Sequence, residues 1–187
     1  MPWVGWKNKE RLEIEIQTLS RNPPMKIIDV HSHLYPLEYI RLLEKRQSIP
    51  RVINANGQRE FRTFPEEDGP HGVGGRPMGA EYFDWELKLK AMDAMGIQTA
   101  IVSLGNPWLD PFPNREGDEA AEAINQIMSQ YETKTDGRMV ALGVLPSSSV
   151  ENAIHALKKI AATRGLHGVV CQPAIAGLAF DDQQLEP

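Results

Sequence analysis

Cysteine is almost absent from this sequence, which contains only Cys171. A single thiol excludes an intrachain disulfide framework and leaves no Cys-x-x-Cys pair to hold a metal, as is usual in a reducing compartment. No apolar stretch approaches the roughly 20 residues needed to span a bilayer. Residues 1–24 are too charged to contain the apolar part of a secretory signal. We therefore expect a cytoplasmic protein with no membrane partner.

Basic residues are also scarce relative to acidic ones. Lys and Arg together number 20 against 25 Asp and Glu, which gives a formal net charge of −5 at pH 7. No segment gathers enough positive charge to neutralise a phosphate backbone, so nucleic acid is not expected as a partner. The hydrophobic share of 41% and the charged share of 24% are ordinary for a globular domain with a core of its own.

The most informative motif is a His-x-His pair at the end of the first apolar run. Side chains alternate between the two faces of a strand, so His31 and His33 are predicted to share one face, with Asp29 one step behind them. Two imidazoles on one face can hold a single metal ion. The opposite face carries Ile28 and Val30, which suit contact with a covering layer of helices.

A plainer interpretation is that the two histidines are hydrogen-bonded loop residues, because a zinc site also needs a third or fourth ligand. Their position favours the metal, since α/β folds place ligands at the carboxyl ends of parallel strands. The sequence offers four candidates for a third ligand, each with a simpler structural role: His71, His155, His167 and Cys171. Of these, His71, in a long loop, and Cys171, near a strand end, remain candidates for the third ligand.

Helical and strand-like segments alternate along the rest of the chain. The patterns predict helices at 35–47, 81–95, 116–133 and 150–163, and strands at 27–33, 98–104, 139–145 and 166–172. Residues 48–79 show no periodicity and are predicted to form a long loop. Strands separated by helices must pair in parallel through right-handed crossovers. The order predicts an α/β fold with about four parallel strands, either a small open sheet or the first half of a (β/α)8 barrel.

Four stretches of the sequence resemble the metal-dependent amidohydrolase superfamily, in the branch of aminocarboxymuconate-semialdehyde decarboxylase and related non-oxidative decarboxylases. They are residues 26–36, 87–97, 141–146 and 165–170. Three further stretches look most like the fungal uracil-5-carboxylate (isoorotate) decarboxylases: residues 39–50, 75–77 and 103–108. The resemblance covers residues 25–187, so residues 1–24, with Trp3 and Trp6, are interpreted as an N-terminal extension.

The resemblance implies a (β/α)8 TIM barrel of which this chain holds the N-terminal half. It implies that His31 and His33 are ligands of a divalent metal, zinc foremost and manganese second. Asp29, one step deeper on the same strand face, is a candidate to orient an imidazole through its other ring nitrogen, and a structural hydrogen bond is the alternative. The family's other ligands lie on its fifth and eighth strands, and its catalytic histidine follows the sixth. Residues 180–187 resemble the start of the family's fourth helix, so no catalytic residue is expected within this chain.

Three residues are candidates for binding substrate. The guanidinium of Arg76 matches a carboxylate with two parallel hydrogen bonds, although a solvated loop arginine is the simpler alternative. Asn106 and Trp108 follow the second parallel strand and suit the wall of a pocket, although a tryptophan beside two prolines also suits a packed loop. The expected partner is a small carboxylic acid, and the full-length protein is expected to form a homodimer.

Three functional hypotheses follow. The first is a metal-dependent carboxy-lyase acting on a small aromatic or heterocyclic carboxylic acid. The second keeps the fold and the metal but makes the enzyme a hydrolase or a hydratase, since a His-x-His pair serves that chemistry too. The third is that this 187-residue chain is a truncated, inactive fragment, because half a barrel leaves two unpaired edge strands.

Overall fold

Nine strands, five α-helices and two short 3-10 helices are present in the computed structural model, which describes residues 26–183. The N-terminal extension interpreted from residues 1–24 lies outside the described residues. In chain order the strands are β1 (Ile28–His33), β2 (Arg51–Ala55), β3 (Gln58–Arg62), β4 (Arg76–Pro77), β5 (Thr99–Ser103), β6 (Met139–Val144), β7 (Leu166–Val170), β8 (Ala174–Ile175) and β9 (Leu178–Ala179). The helices are α1 (Leu37–Glu44), α2 (Trp85–Met95), α3 (Arg115–Met128), α4 (Tyr131–Lys134) and α5 (Val150–Ala162).

The main sheet is parallel and has the strand order β1-β5-β6-β7. Each pair of neighbouring strands is connected through helices, as the predicted order of elements requires. All four strands therefore end at the same edge of the sheet, where the loops that follow them lie side by side. The histidine pair, at the end of β1, belongs to this edge.

Helix boundaries follow the capping residues of the sequence. Asp84 begins α2, and its carboxylate accepts hydrogen bonds from the backbone N–H groups of Glu86 and Leu87. Gly96 ends the same helix with a φ of 68°. The helix predicted at 116–133 is instead divided into α3 and α4. The Ser129 hydroxyl donates to the carbonyl of Gln126 at this break, a local bond that competes with regular helix.

The region from residue 48 to residue 79 is not the irregular loop that was predicted. Strands β2, β3 and β4 form a separate antiparallel sheet. The first two are joined by Asn56 and Gly57, whose φ values of 54° and 82° fit a type I′ hairpin turn. Val52 and Phe61 lie opposite each other in this hairpin and are buried. Packing of these two side chains orders the segment.

The edge strand β1 has an apolar face that the described residues do not cover. Ile28 and Val30, predicted to contact a helix layer, are instead 56% and 70% exposed. Within residues 26–183, β1 pairs only with β5 and β7 only with β6, so each presents one unpaired backbone edge. An exposed, apolar edge strand is a template for association with another chain.

We therefore expect the isolated chain to self-associate through β1. The substitution Val30→Lys should shift the species toward monomer at fixed protein concentration, because a charge on an edge strand opposes pairing. Val73→Lys is the matched control, since Val73 is 84% exposed but lies outside the parallel sheet. Light scattering after size exclusion measures the mass. A monomeric wild-type chain, or equal effects of the two substitutions, would contradict this expectation.

No helix among residues 26–183 has the length and apolar character needed to cross a membrane.

Candidate metal centre and its surroundings

The two histidines of β1 converge as predicted. The Nε2 atoms of His31 and His33 lie 3.0 Å apart, and the rings meet edge to face with centroids separated by 4.9 Å. Two imidazole nitrogens bound to a tetrahedral zinc at about 2.0–2.1 Å are roughly 3.3 Å apart. The observed separation is that of a hydrogen bond between the two rings. It is also close to the zinc value, so a small movement of the rings would let both nitrogens bind one ion.

A serine on the neighbouring strand orients the second histidine. Ser103 ends β5 in register with His33, and its hydroxyl lies 3.1 Å from the His33 Nδ1 atom. A proton on Nδ1, donated to that hydroxyl, leaves the Nε2 lone pair free for a metal. Sequence reasoning missed Ser103 as a site residue. The available signal was a polar residue near the end of a buried apolar strand.

Electrostatics favour the neutral form of His33. Its pKa is lowered chiefly by burial and further by the neighbouring His31. Imidazole binds a metal only when it is deprotonated, so a lowered pKa favours the form of His33 that binds metal.

Asp29 makes a hydrogen bond to the backbone, which was the alternative to orienting an imidazole. Its carboxylate accepts a hydrogen bond of 3.0 Å from the backbone N–H of His31, whereas the ring nitrogen of His33 contacts Ser103. Strand β1 is irregular at the same place: Asp29 pairs with Ala100 but Ser32 pairs with Val102, so one extra residue interrupts the ladder. Strict alternation, on which the prediction depended, is broken at this point.

Lys88 is a second residue near the histidine pair that sequence reasoning missed. Its ammonium donates a 2.7 Å hydrogen bond to the hydroxyl of Ser32, the residue between the two histidines. Burial lowers the pKa of Lys88, and the carboxylate of Asp29 partly opposes that shift. The lysine ties α2 to the end of β1. Its signal in the sequence was a charge flanked by two leucines on an otherwise apolar helix face.

An aromatic cluster (Tyr35, Tyr39, Phe61 and Tyr82) connects the end of β1 to the antiparallel sheet. Tyr35 lies at its centre, with ring centroids 5.8–6.2 Å from those of the other three. Arg76, on β4, places its guanidinium 5.5 Å from the Phe61 ring centroid. Burial raises the pKa of Tyr35, and the positive charge of Arg76 opposes that rise. Arg76 is therefore a neighbour of Tyr35, which lies two positions after His33.

The loop after β5 is held against the same cluster. The Tyr35 hydroxyl donates to the carbonyl of Asn106 at 3.0 Å, and the Tyr39 hydroxyl donates to the carbonyl of Trp108. Gly105 permits this approach, because a Cβ at that position would overlap the Tyr35 hydroxyl. The side chain of Asn106 is exposed, and the indole nitrogen of Trp108 is buried without a partner among residues 26–183. Arg76, Asn106 and Trp108 thus border one cluster.

The described part of the chain holds no group of three or more potential metal ligands. The ring nitrogen Nε2 of His167 lies 3.0 Å from a carboxylate oxygen of Glu132. His155 lies on α5, and His71 is exposed. Cys171 follows β7 and is partly buried. None of these four residues lies beside the histidine pair. The described residues therefore supply two metal ligands at this place, His31 and His33.

No protein-family model matches the sequence. Two curated relatives are similar to part of it. The γ-resorcylate decarboxylase of Rhizobium sp. (strain MTP-10005) is 30% identical over 86 residues, which are 46% of this chain and 26% of the relative. The γ-resorcylate decarboxylase of Rhizobium radiobacter is 29% identical over 86 residues, which are also 46% of this chain and 26% of the relative.

Solved structures extend the similarity to most of the chain. The IDCase of Metarhizium anisopliae, in its apo form, superposes with a TM-score of 0.79 and 28% identity over 88% of this chain and 46% of its own. The 5-carboxyvanillate decarboxylase of Sphingomonas paucimobilis has a TM-score of 0.64 and 18% identity, over 84% of this chain and 46% of its own. The 2,6-dihydroxybenzoate decarboxylase of Rhizobium has a TM-score of 0.58 and 21% identity, over 86% of this chain and 44% of its own.

The fold is that of the N-terminal half of a barrel-forming amidohydrolase, as predicted. The resemblance to the decarboxylases of that superfamily is confirmed as well, because both curated relatives and several of the similar structures are decarboxylases. This chain spans about a quarter of the length of the curated relatives it matches and just under half of the similar solved structures.

Proposed function

We propose that this chain is the N-terminal part of a metal-dependent non-oxidative decarboxylase of a small aromatic or heterocyclic carboxylic acid. The observation that carries the proposal is the convergence of the His31 and His33 Nε2 atoms at the carboxyl edge of a parallel sheet. The names of the similar proteins favour a carboxy-lyase over a hydrolase or hydratase. Residues 25–187 would form half of the catalytic domain.

The residues present fit a divalent cation held by the two histidines. When bound, such an ion polarises a substrate oxygen or a bound water. His31 and His33 contribute neutral nitrogen ligands, and Ser103 fixes the orientation of the second ring. Zinc suits imidazole ligands in a tetrahedral site, and manganese is the second candidate. Protons for the reacting carbon must come from residues that this stretch of chain does not contribute.

Arg76 is proposed to bind the carboxylate that the reaction removes. Its guanidinium is exposed at the rim of the aromatic cluster and makes no ion pair among residues 26–183. The neighbouring arginines of the antiparallel sheet are already engaged: Arg51 and Arg62 with Asp68, and Arg59 with Glu44. Arg76 is thus the guanidinium of this sheet that is available to a substrate. A planar aromatic substrate would find the cluster beside it.

The test begins with the coding sequence beyond the codon for Pro187. If it continues into a further half barrel, the longer protein should release CO₂ from 2,6-dihydroxybenzoate, 5-carboxyvanillate or uracil-5-carboxylate after zinc or manganese is added. The 187-residue chain alone should show no turnover. Hydrolysis of matched lactones without CO₂ release would instead support the hydrolase alternative. Full activity of a chelator-treated, metal-free protein would exclude metal-dependent decarboxylation.

In that longer protein, Arg76→Lys should lower kcat/KM by about 10- to 100-fold, because a lysine cannot replace two parallel hydrogen bonds to a carboxylate. Arg59→Lys is a matched control. Arg59 lies on the same antiparallel sheet with its guanidinium 5.8 Å from the Phe83 ring centroid, yet it pairs with Glu44. Steady-state kinetics with each acid measure the effect. Equal losses of kcat/KM in the two variants would show that Arg76 does not bind the substrate.

A further inference from the structure

Lys88 places a positive charge directly behind the two histidines of β1. Its ammonium donates to the hydroxyl of Ser32 at 2.7 Å, and Ser32 is the residue between His31 and His33. Ser32 is 8% exposed and lies in register with Val102, which is fully buried. Neighbouring residues of a strand point to opposite faces, so the serine and the lysine meet on the face of β1 opposite the His33 ring.

The charge of Lys88 has no ion-pair partner to explain it. Among residues 26–183 the lysine makes no ion pair, and the Ser32 hydroxyl is the one hydrogen-bond acceptor of its ammonium. Burial lowers the pKa of Lys88, and the carboxylate of Asp29 opposes only part of that shift. A nonpolar side chain of similar length would avoid the loss of hydration. The defined contact that the charge makes is therefore the one with Ser32.

The same stretch of β1 lacks a regular strand ladder. Two residues of β1, Val30 and His31, lie opposite one residue of β5, and β1 has no second neighbouring strand among the described residues. A bulge of this kind redirects side chains, so strand pairing alone does not fix the direction of the His31 ring. Two side-chain contacts flank the bulge. Asp29 accepts from the backbone N–H of His31 at 3.0 Å on one side, and Lys88 holds Ser32 on the other.

Helix α2 is a fixed support for this contact. Met92, one turn after Lys88, is 2% exposed and belongs to the core. Near the end of the helix, Arg138 donates to the carboxylate of Asp93 at 2.8 Å and to two backbone carbonyls that follow the helix at 2.8 and 2.9 Å. The position of the Lys88 ammonium is thus set by the packing of the helix rather than by β1 itself.

We propose that Lys88 is a positioning residue of the metal centre: through Ser32 it holds the backbone between His31 and His33 so that both Nε2 atoms reach one divalent cation. This inference rests on the metal centre of the proposed function and adds a residue that touches neither the metal nor a substrate. Ligands of a metal must be held within about 0.5 Å of their productive positions. Contacts that orient ligands are worth about 10- to 100-fold in metal affinity.

A double-mutant cycle on zinc affinity tests this role. Ser32→Ala removes the hydroxyl and keeps the ammonium, whereas Lys88→Met removes the ammonium and keeps most of the stem. Isothermal titration of the 187-residue chain, freed of metal with a chelator, gives the Kd of the wild type, both single variants and the double variant. We expect Ser32→Ala to weaken zinc binding about tenfold.

The cycle separates the contact from the charge. Loss of a positive charge near a cation by itself strengthens cation binding, and this effect of Lys88→Met is present with or without the Ser32 hydroxyl. We therefore expect the effect of Lys88→Met on zinc affinity to differ about tenfold between wild-type and Ser32→Ala protein. Lys90→Met is the matched control, because Lys90 is exposed on the same helix, and it should leave zinc affinity within about twofold.

Urea unfolding of the same metal-free proteins separates positioning from a merely structural role. Lys88→Met should leave the unfolding midpoint unchanged or higher, because it removes a partly buried charge that lacks an ion-pair partner. The coupling between the two substitutions should therefore be present in zinc affinity and absent from stability. Coupling in stability alone would mean that the contact only joins α2 to β1, and it would overturn the proposal.

Two further results would overturn this proposal and leave the metal centre in place. The first is unchanged zinc affinity in folded Ser32→Ala protein, which holds even if Lys88→Met fails to fold. The second is additive effects of the two substitutions on zinc affinity, within about twofold. Absence of zinc binding by the wild-type chain would overturn the proposed metal centre together with this inference. Intact coupling in a protein that releases no CO₂ would support the positioning role and contradict the proposed decarboxylation alone.

Discussion

Replacing His31 and His33 together with alanine should abolish specific divalent-metal binding by this chain, with a loss of affinity of at least about 100-fold. The reason is geometric: the two Nε2 atoms that face each other at 3.0 Å are the only convergent pair of histidine nitrogens in the described structure. Isothermal titration with zinc, and with manganese, measures the loss. The wild-type affinity itself should be weak, because two imidazoles leave half of a tetrahedral shell to water.

A second double variant, His71→Ala with His155→Ala, is the control for this experiment. Both residues were candidates for a third ligand in the sequence, and neither joins the pair in the structure. Their removal should leave zinc affinity within about twofold. Retained binding after loss of His31 and His33, or lost binding in the control, would place the metal elsewhere.

Acidification provides an independent readout of the same pair. Protons compete with the metal for the imidazole nitrogens, so affinity should fall as the pH drops through the range in which the histidines become protonated. Because burial and the neighbouring His31 lower the pKa of His33, the part of this loss that comes from His33 should occur below the ordinary histidine value of about 6.5. A midpoint above that value would contradict the lowered pKa.

Replacing Asn125 with alanine should destabilise the fold by about 3 kcal/mol, the largest effect that we expect from a single residue outside the metal centre. Asn125 lies on α3 and is buried against the end of β6. Its amide donates to the carbonyl of Val144 at 3.0 Å, and its oxygen accepts from the N–H of the same residue at 2.7 Å. Alanine would leave both backbone groups of Val144 without a partner in the interior.

Urea unfolding followed by circular dichroism measures this loss. Gln126→Ala, at the next position of α3, is the control, since its side chain is exposed and should change stability by no more than about 0.5 kcal/mol. A leucine at position 125 should be no better than alanine, because it fills the space but satisfies neither backbone group. If Asn125→Ala cost less than about 1 kcal/mol, the paired hydrogen bonds would not be what joins α3 to β6.

Local sequence signals predicted the order of elements in the parallel sheet but failed for the antiparallel one. Periodicity and capping residues such as Asp84 and Gly96 act within one or two turns of chain, so they are visible in a linear sequence. The hairpin around Asn56 and Gly57 also carries a local turn signal, but its strands are short and have many charged residues. Burial of Phe61 against Tyr35 stabilises that hairpin, and this contact is distant in sequence.

The residues of the candidate metal centre also fall into two groups, those predicted from local relations and those missed because their contacts are distant in sequence. His31 and His33 were predicted because two residues of one strand share a face, and this relation is local. Ser103 and Lys88 were missed because they reach the site from 70 and 56 residues away, through strand register and helix packing. The extra residue in β1 after Asp29 is likewise a property of its pairing with β5.

The sequence by itself therefore determined the parallel α/β order and the pair of imidazoles, since both follow from patterns a few residues long. Within residues 26–183, the tertiary structure decided which residues surround that pair, which face of β1 stays uncovered, and that Gln172 is buried with its amide unpaired. These depend on which distant segments meet at the edge of the sheet. Packing sets such contacts over the whole chain, and no short sequence pattern encodes them.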